Sequence, residues 1–197
     1  CENCPRLGWL SNTLNVAVRS QLIKTQAFRK SSIAWVAISN WMKREAQKSQ
    51  LLKGHRIDVV PSGVSCEKFK IVEKHAARGM LSLPIDTARI VLIGATNIRE
   101  AYKGFEYACE VLSRLQQDIL VVTFGSQTFR HGEIPQKVIH FGTVDSDKLV
   151  NLYSAADVFL APSVAEAMGK AVLESQLCGT PVVAFKETGP EDIVTHY

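Results

Sequence analysis

No stretch of this sequence stays apolar for the roughly 18 residues that a membrane-spanning helix needs. The start, CENCPRLG, has neither the basic region nor the apolar core of a secretory signal. Repeats with periods of roughly 20–50 residues are missing, which argues against solenoids and propellers, and there is no low-complexity tract. Zinc-finger, recognition-helix and aromatic RNA-binding signatures are missing too, so nothing points to nucleic acid. Cysteine is sparse and odd in number: Cys1, Cys4, Cys66, Cys109 and Cys178 do not form a disulfide framework. Cys109 and Cys178 read as small buried hydrophobes. Cys1 and Cys4 have the spacing of half a zinc knuckle, but no second pair follows, so any metal partners would have to precede Cys1. An initiator Met is also lacking, and Ile193 to Tyr197 reads as an unfinished helix. The expectation is a fragment cut at both ends.

What is present is an ordinary globular composition, 46% hydrophobic and 21% charged over 197 residues. That length holds one full domain, or one domain plus part of another. Charge is unevenly divided. Residues 1–80 carry 14 Lys or Arg against 5 Asp or Glu, and the remainder carries 9 against 14, giving +9 and −5 and the overall +4. Arg19, Lys24, Arg29, Lys30, Lys43, Arg44, Lys48, Lys53 and Arg56 make up most of the basic excess. Such a segment fits an anionic lipid surface or phosphate-bearing acceptors, and equally a plain solvated face.

Along the chain, Trp9 to Asn15 reads as loop and Val16 to Arg29 as a helical scatter of apolar and basic residues. Ile33 to Ile38 predicts a strand, Ser39 an N-cap with a helix behind it, and Arg56 to Val60 a second strand closed by Pro61, Ser62 and Gly63. Residues 66–88 resemble a linker with one short helix, Glu73 to Leu81. Five strands follow, at Arg89 to Ile93, Ile119 to Phe124, Val138 to Phe141, Val158 to Leu160 and Val182 to Phe185. Helices at about Gly104 to Gln116, Asp147 to Ala155 and Lys170 to Cys178 fall between them. The strands are nearly continuous in Val and Ile, as expected of a parallel sheet covered by helices on both faces. The expected divisions are residues 1–67, a linker at 68–88, and residues 89–197.

The most informative stretch is Asp157 to Pro190, DVFLAPSVAEAMGKAVLESQLCGTPVVAFKETGP. It reads as strand, loop, helix, strand, with Glu166 beyond the first strand and Glu174 eight residues later within the helix. Two acids bracket a loop whose free N–H groups open a helix, a setting suited to a polyol and a phosphate. The plainer reading is a solvated helix acid and a first-turn acid favoured by the helix dipole. The order Pro-Ser, Glu166, Gly169, Glu174, Cys-Gly-Thr-Pro-Val-Val resembles the E-x7-E donor-site signature of retaining GT-B glycosyltransferases, the group 1 family that includes sucrose synthases and many enzymes of bacterial surface polysaccharides, the colanic-acid type among them. Cys1 to Gly8 is similar to a Cys-x-x-Cys-Pro-x-Leu-Gly segment of some polysaccharide members.

The resemblance implies a Rossmann-like parallel sheet with helices on both faces, preceded by the end of an N-terminal domain. Its donor is a nucleotide-diphosphate sugar, with no metal required, and its acceptor a glycan or lipid-linked sugar in bacterial surface-polysaccharide synthesis. Glu166 is implied to be the catalytic acid against the donor sugar, with backbone N–H groups of Ala167, Met168 and Gly169 on sugar or diphosphate, and Glu174 on the ribose. In the loop Gly94 to Gly104, Lys103 and Gly104 match the family's Lys-Gly that meets the diphosphate. Family members place an Arg after the strand-ending glycine. This chain has Ala95 there, and either Arg99 reaches the same phosphates by another path or one charge contact is absent. Gly125 and Gly142 would flank the nucleobase, although single glycines at strand ends also serve ordinary turns. Lys103 could be a surface lysine at a helix start, where the dipole slightly disfavours it.

The family's Pro-Asn-Gly-Val-Asp appears here as Pro61-Ser62-Gly63-Val64-Ser65. The family's N-terminal catalytic His and glycine-rich loop would precede Cys1, and none of His55, His75, His131, His140 or His196 matches that histidine. Localisation follows the same resemblance: cytoplasmic, at the inner face of the cell membrane. Two other readings stay open at this point, a sugar-nucleotide 2-epimerase on the same fold and a non-catalytic nucleotide-sugar-binding module.

Overall fold

The computed structural model describes residues 16–30, 32–86, 89–115 and 118–194. Cys1, Cys4, the loop at Trp9 to Asn15 and His196 lie outside them, as does most of the helix expected at the C-terminus. The chain divides into two compact units, one ending at Val60 and the other beginning at Pro61.

The first unit contains helix α1 (Val16–Arg29), strand β1 (Trp35–Ala37), helix α2 (Asn40–Lys48) and strand β2 (Ile57–Val59). The Ser39 side chain caps α2 by accepting from the Met42 N–H at 3.0 Å, which supplies one of the orphan donors of the first turn. β1 and β2 pair in parallel, Trp35 opposite Ile57 and Ala37 opposite Val59, so the segment is a βαβ unit. Within the basic set, Lys48 pairs with Glu45 on α2 and Arg56 with Asp58. No helix among the described residues is long and apolar enough to cross a membrane.

The second unit holds helix α3 (Lys74–Met80), strand β3 (Ile90–Gly94), helix α4 (Phe105–Ser113), strands β4 (Leu120–Phe124) and β5 (Lys137–His140), helix α5 (Ser146–Ala155), strand β6 (Val158–Ala161), helix α6 (Lys170–Leu177) and strand β7 (Val182–Ala184). The five strands form one parallel sheet in the order β5-β4-β3-β6-β7. Alternate residues feed two cores. Ile90, Leu92, Leu120, Val122 and Phe159 pack with α3, α5 and the end of α6, and Val91, Ile93, Val121 and Leu160 pack with α4. Helices on both faces explain why β3 and β4 are apolar throughout. Chain order reverses between β3 and β6, and the loops leaving these neighbours run to opposite faces of the sheet. Such a switch point leaves a crevice at the carboxyl ends of the strands.

The expected linker at residues 68–88 is corrected by the packing. Phe69, Ala77, Leu81 and Leu83 are buried in the core of the second unit, which begins at Pro61 and not at residue 89. Glu73 caps α3 through the N–H groups of His75 and Ala76 at 3.0 and 2.8 Å. Arg78, only 4% exposed, donates to the carbonyls of Ala155 and Ile85 and to Asp157 Oδ2 at 2.8 Å. Asp157 also accepts from Lys74 Nζ at 2.8 Å and from the Ile90 N–H at 2.7 Å, so it joins α3 to the first residues of β3 and β6.

Burial pushes the Asp157 carboxyl up, but the hydrogen bonds from Lys74 and Ile90 and the charges of Lys74 and Arg78 outweigh it and hold the group below the usual carboxylate range. Its contribution to stability is therefore complete above the unfolded value of about 3.9 and is lost as pH falls through the lower folded value. Urea unfolding should show Asp157→Asn less stable than the parent at pH 7, with the gap closing in strong acid. A gap that does not change with pH would contradict this reading. Arg78→Ala, which leaves Asp157 with Lys74 and the Ile90 N–H but strips the Ala155 and Ile85 carbonyls of a buried donor, should cost about 1–3 kcal/mol at pH 7.

Candidate functional site

A cavity of about 250 Å³ opens at the carboxyl ends of β3 and β6. Lys103, Glu166, Gly169, Tyr153 and Glu174 line it, together with Gly94 and Thr96 from the β3 exit and Ser163 from the β6 exit. Its walls are apolar and its few polar groups converge, the usual make-up of a small-molecule site.

Backbone contact between the two exit loops brings the charged residues together. Gly104 has φ 68°, and a Cβ there would lie 1.8 Å from the Pro162 carbonyl oxygen, so only glycine permits this approach. The Val164 N–H donates to the Tyr102 carbonyl at 2.9 Å. Held this way, Lys103 Nζ meets Glu166 Oε2 at 2.7 Å, with the two side chains 20% and 25% exposed. The Glu166 carbonyl accepts from the Gly189 N–H at 2.7 Å, and a Cβ on Gly189 would strike the Ala167 carbonyl at 2.4 Å. The Glu166 loop is thus fixed from two sides.

Two helices begin at this cavity with no side-chain cap. Gly104 precedes α4, and Gly169, at φ 87°, precedes α6. Uncapped N-termini present N–H donors and the positive end of the helix dipole, which suits an anionic group. Glu174 sits one turn into α6 and accepts a 3.2 Å hydrogen bond from the Tyr153 hydroxyl. Burial raises the Glu174 carboxyl, and the Tyr153 bond and the Lys170 charge offset only part of that. Burial, followed by the Glu174 charge, pushes the Tyr153 phenol well above its ordinary value, so it stays a donor.

The residues expected from the sequence divide into two groups. Lys103, Gly94, Glu166, Gly169 and Glu174 line one cavity, with Gly104 at its hinge and Ala167 in the fixed loop. Arg99 does not line it. Its guanidinium lies on Glu133 at 2.6 Å and on the Thr128 carbonyl, 4.3 Å from the Phe105 ring centroid, an arrangement in keeping with the alternative that this charge contact is absent. The Met168 side chain is buried, its sulfur accepting from the Ser62 N–H. Gly125 has φ 116°, and a Cβ there would hit the Ala95 carbonyl, so it brings the β3 and β4 exits together without lining the cavity. Gly142 has φ 66° with open space around it, as in a turn.

Among the histidines, His140 bonds Thr123 and His75 lies between Glu73 and Asp86. Among the described residues no three His, Cys, Asp or Glu side chains cluster as a metal site would. Tyr153 is not among the residues that the sequence singles out, because the helix expected at Asp147 to Ala155 carries no recognised motif. Its signal was a lone tyrosine on the buried side of a helix leading into β6.

Fold and cavity together define a Rossmann-type α/β unit with a ligand cleft at the strand switch point. Residues 82–197, more than half of the chain, match the family of group 1 glycosyl transferases, and the chain belongs to that family. Its relatives include the D-inositol 3-phosphate glycosyltransferase of Xylanimonas cellulosilytica, 29% identical over 157 residues, covering 71% of this chain and 37% of that protein. The Acidothermus cellulolyticus protein of the same name is 32% identical over 151 residues, covering 68% and 34%. The chain therefore spans about a third of the length of these curated relatives. Among solved structures, Anabaena HepE in complex with UDP superposes with a TM-score of 0.69 at 22% identity, covering 98% of this chain and 53% of that one. Sucrose-phosphate synthase from Thermosynechococcus elongatus gives 0.68 at 20% identity, covering 91% and 45%. At these identities the likeness establishes the fold, which matches the GT-B architecture.

Proposed function

We propose that this chain supplies the donor-binding part of a retaining glycosyltransferase that moves a sugar from a nucleotide-diphosphate sugar to a glycan or lipid-linked acceptor in surface-polysaccharide synthesis. The supporting observation is the Lys103–Glu166 pair at 2.7 Å in one cavity with Glu174, beside two uncapped helix starts. Family membership and the glycosyltransferase names of the curated relatives support the glycosyl-transfer part of this reading.

In this reading the diphosphate lies against Lys103 and the N-terminus of α6, which offset its charge. Glu174 accepts from the ribose hydroxyls, since a carboxylate offers acceptors only and pairs naturally with a diol. Glu166 lies beside the donor sugar, where its negative charge supports positive character at the anomeric carbon. The bond from that carbon to the diphosphate oxygen breaks while a bond to the acceptor oxygen forms on the same face. The acceptor proton passes to the departing diphosphate. The acceptor side belongs to the remainder of the protein, and the basic set on the first unit meets an anionic surface that carries the lipid-linked acceptor.

Lys103 is neutralised by Glu166 before donor binds, so the two substitutions should act in opposite directions on free nucleotide. By titration calorimetry, Lys103→Ala should weaken UDP or GDP binding by about 1–3 kcal/mol. Glu166→Gln should leave that binding intact or tighter, since it removes a competitor for Lys103, while lowering turnover of the whole enzyme. Equal weakening by both variants would count against the assignment. For the surface proposal, sedimentation of the full-length protein with anionic vesicles should occur at low salt and fade at high salt, because peripheral charge attraction is screened. Recovery in the supernatant with every vesicle and salt would defeat it.

A further inference from the structure

The hydroxyl of Tyr153 is left without a task by the reading above, yet its setting is specific. Tyr153 is 0% exposed, and its hydroxyl still reaches the cavity wall to donate to Glu174 Oε2 at 3.2 Å. Its ring is enclosed by aromatic neighbours, Phe159 at 5.5 Å, Phe124 at 6.1 Å and Phe69 at 6.4 Å between centroids. Its own carbonyl accepts from Thr180 Oγ1 at 2.5 Å, just beyond α6. α5 is therefore tied to both the middle and the end of α6 through one residue. A tyrosine caged in this way has no alternative rotamer to adopt, and its hydroxyl is a fixed donor.

We infer that Tyr153 is a positioning residue that holds one oxygen of Glu174 in place and leaves the other for a ribose hydroxyl in the cavity. The inference rests on the proposed placement of ribose at Glu174 and goes beyond it. A glutamate in a cavity wall has three side-chain torsions, and ordering them on binding costs free energy that pre-ordering removes. A carboxylate offers roughly four lone-pair sites, so one bond to Tyr153 still leaves capacity for a diol. The phenol O–H donates to the carboxylate and so stabilises its ionised, acceptor-only form, which presents Glu174 to the ligand as an acceptor. Desolvation favours protonating this acid, and the Tyr153 bond offsets part of that.

The test is a double-mutant cycle read with UDP and GDP and with their 2′-deoxy forms, by calorimetry on the full chain. Tyr153→Phe conserves the ring and the packing. It should weaken the preferred nucleotide about three- to tenfold, the scale of one hydrogen bond. It should also shrink the preference for ribose over 2′-deoxyribose by a similar factor. In a Glu174→Ala background the same Tyr153→Phe change should cost less than about twofold, because its effect passes through the carboxylate. A structural role alone would lower the melting temperature and weaken ribose and deoxyribose ligands alike, in both backgrounds, and that result overturns the inference. If the parent binds nucleotide and prefers ribose through Glu174, but Tyr153→Phe leaves that preference unchanged, the inference falls and the donor-site assignment stands. Failure of the parent to bind either nucleotide would overturn both.

Discussion

The contact between Gly104 and the Pro162 carbonyl is the constraint on which the site depends. Two parallel strands that are neighbours in the sheet send their chains to opposite faces, and their exit loops would ordinarily diverge at once. Here they touch backbone to backbone, at a distance that no side chain on residue 104 could allow. The Val164–Tyr102 hydrogen bond continues the contact. As a result, a lysine from one loop and a glutamate from the other, 63 residues apart in sequence, form a single ion pair. The five-stranded order β5-β4-β3-β6-β7 is what makes β3 and β6 neighbours. The Asp157 network anchors those two strands at their opposite ends.

The lysine in this cavity is paired with a glutamate before any ligand arrives. Lys103 and Glu166 are partly shielded from water, and an unpaired charge there would be costly. In the proposed function a diphosphate takes the lysine by offering more than the glutamate does, aided by the uncapped start of α6 in the same cavity. The second acid is treated differently. Glu174 has no cation bonded to it and accepts from a neutral phenol, which leaves it suited to hydroxyl groups. Two glutamates eight residues apart thus have distinct surroundings.

Much of this was legible in the sequence, for identifiable reasons. Continuous apolar runs mark strands that are covered on both faces, and all five strands of the large sheet fall within a residue or two of where Val and Ile cluster. The Glu166–Glu174 spacing and the Lys103-Gly104 pair carry much of the site because both lie in short local segments. What escaped depends on distant partners. For Arg99 the sequence left two alternatives, and the hold of Glu133 and Thr128 on its guanidinium is a contact that no local pattern encodes. The segment at 68–88 looked like a linker because α3 is short and carries an arginine, and only Asp157, 79 residues further on, explains why that arginine is buried. Tyr153 carries no local motif, since the bond that distinguishes it crosses from α5 to α6.

The most direct measurement is a crystal structure of the chain with UDP or GDP bound. The account predicts that the nucleotide occupies the cavity between the β3 and β6 exits, with Lys103 Nζ moved off Glu166 onto a diphosphate oxygen and Glu174 on the ribose hydroxyls. A nucleotide bound elsewhere, or one seated in this cavity with the Lys103–Glu166 pair intact and the ribose away from Glu174, would contradict it.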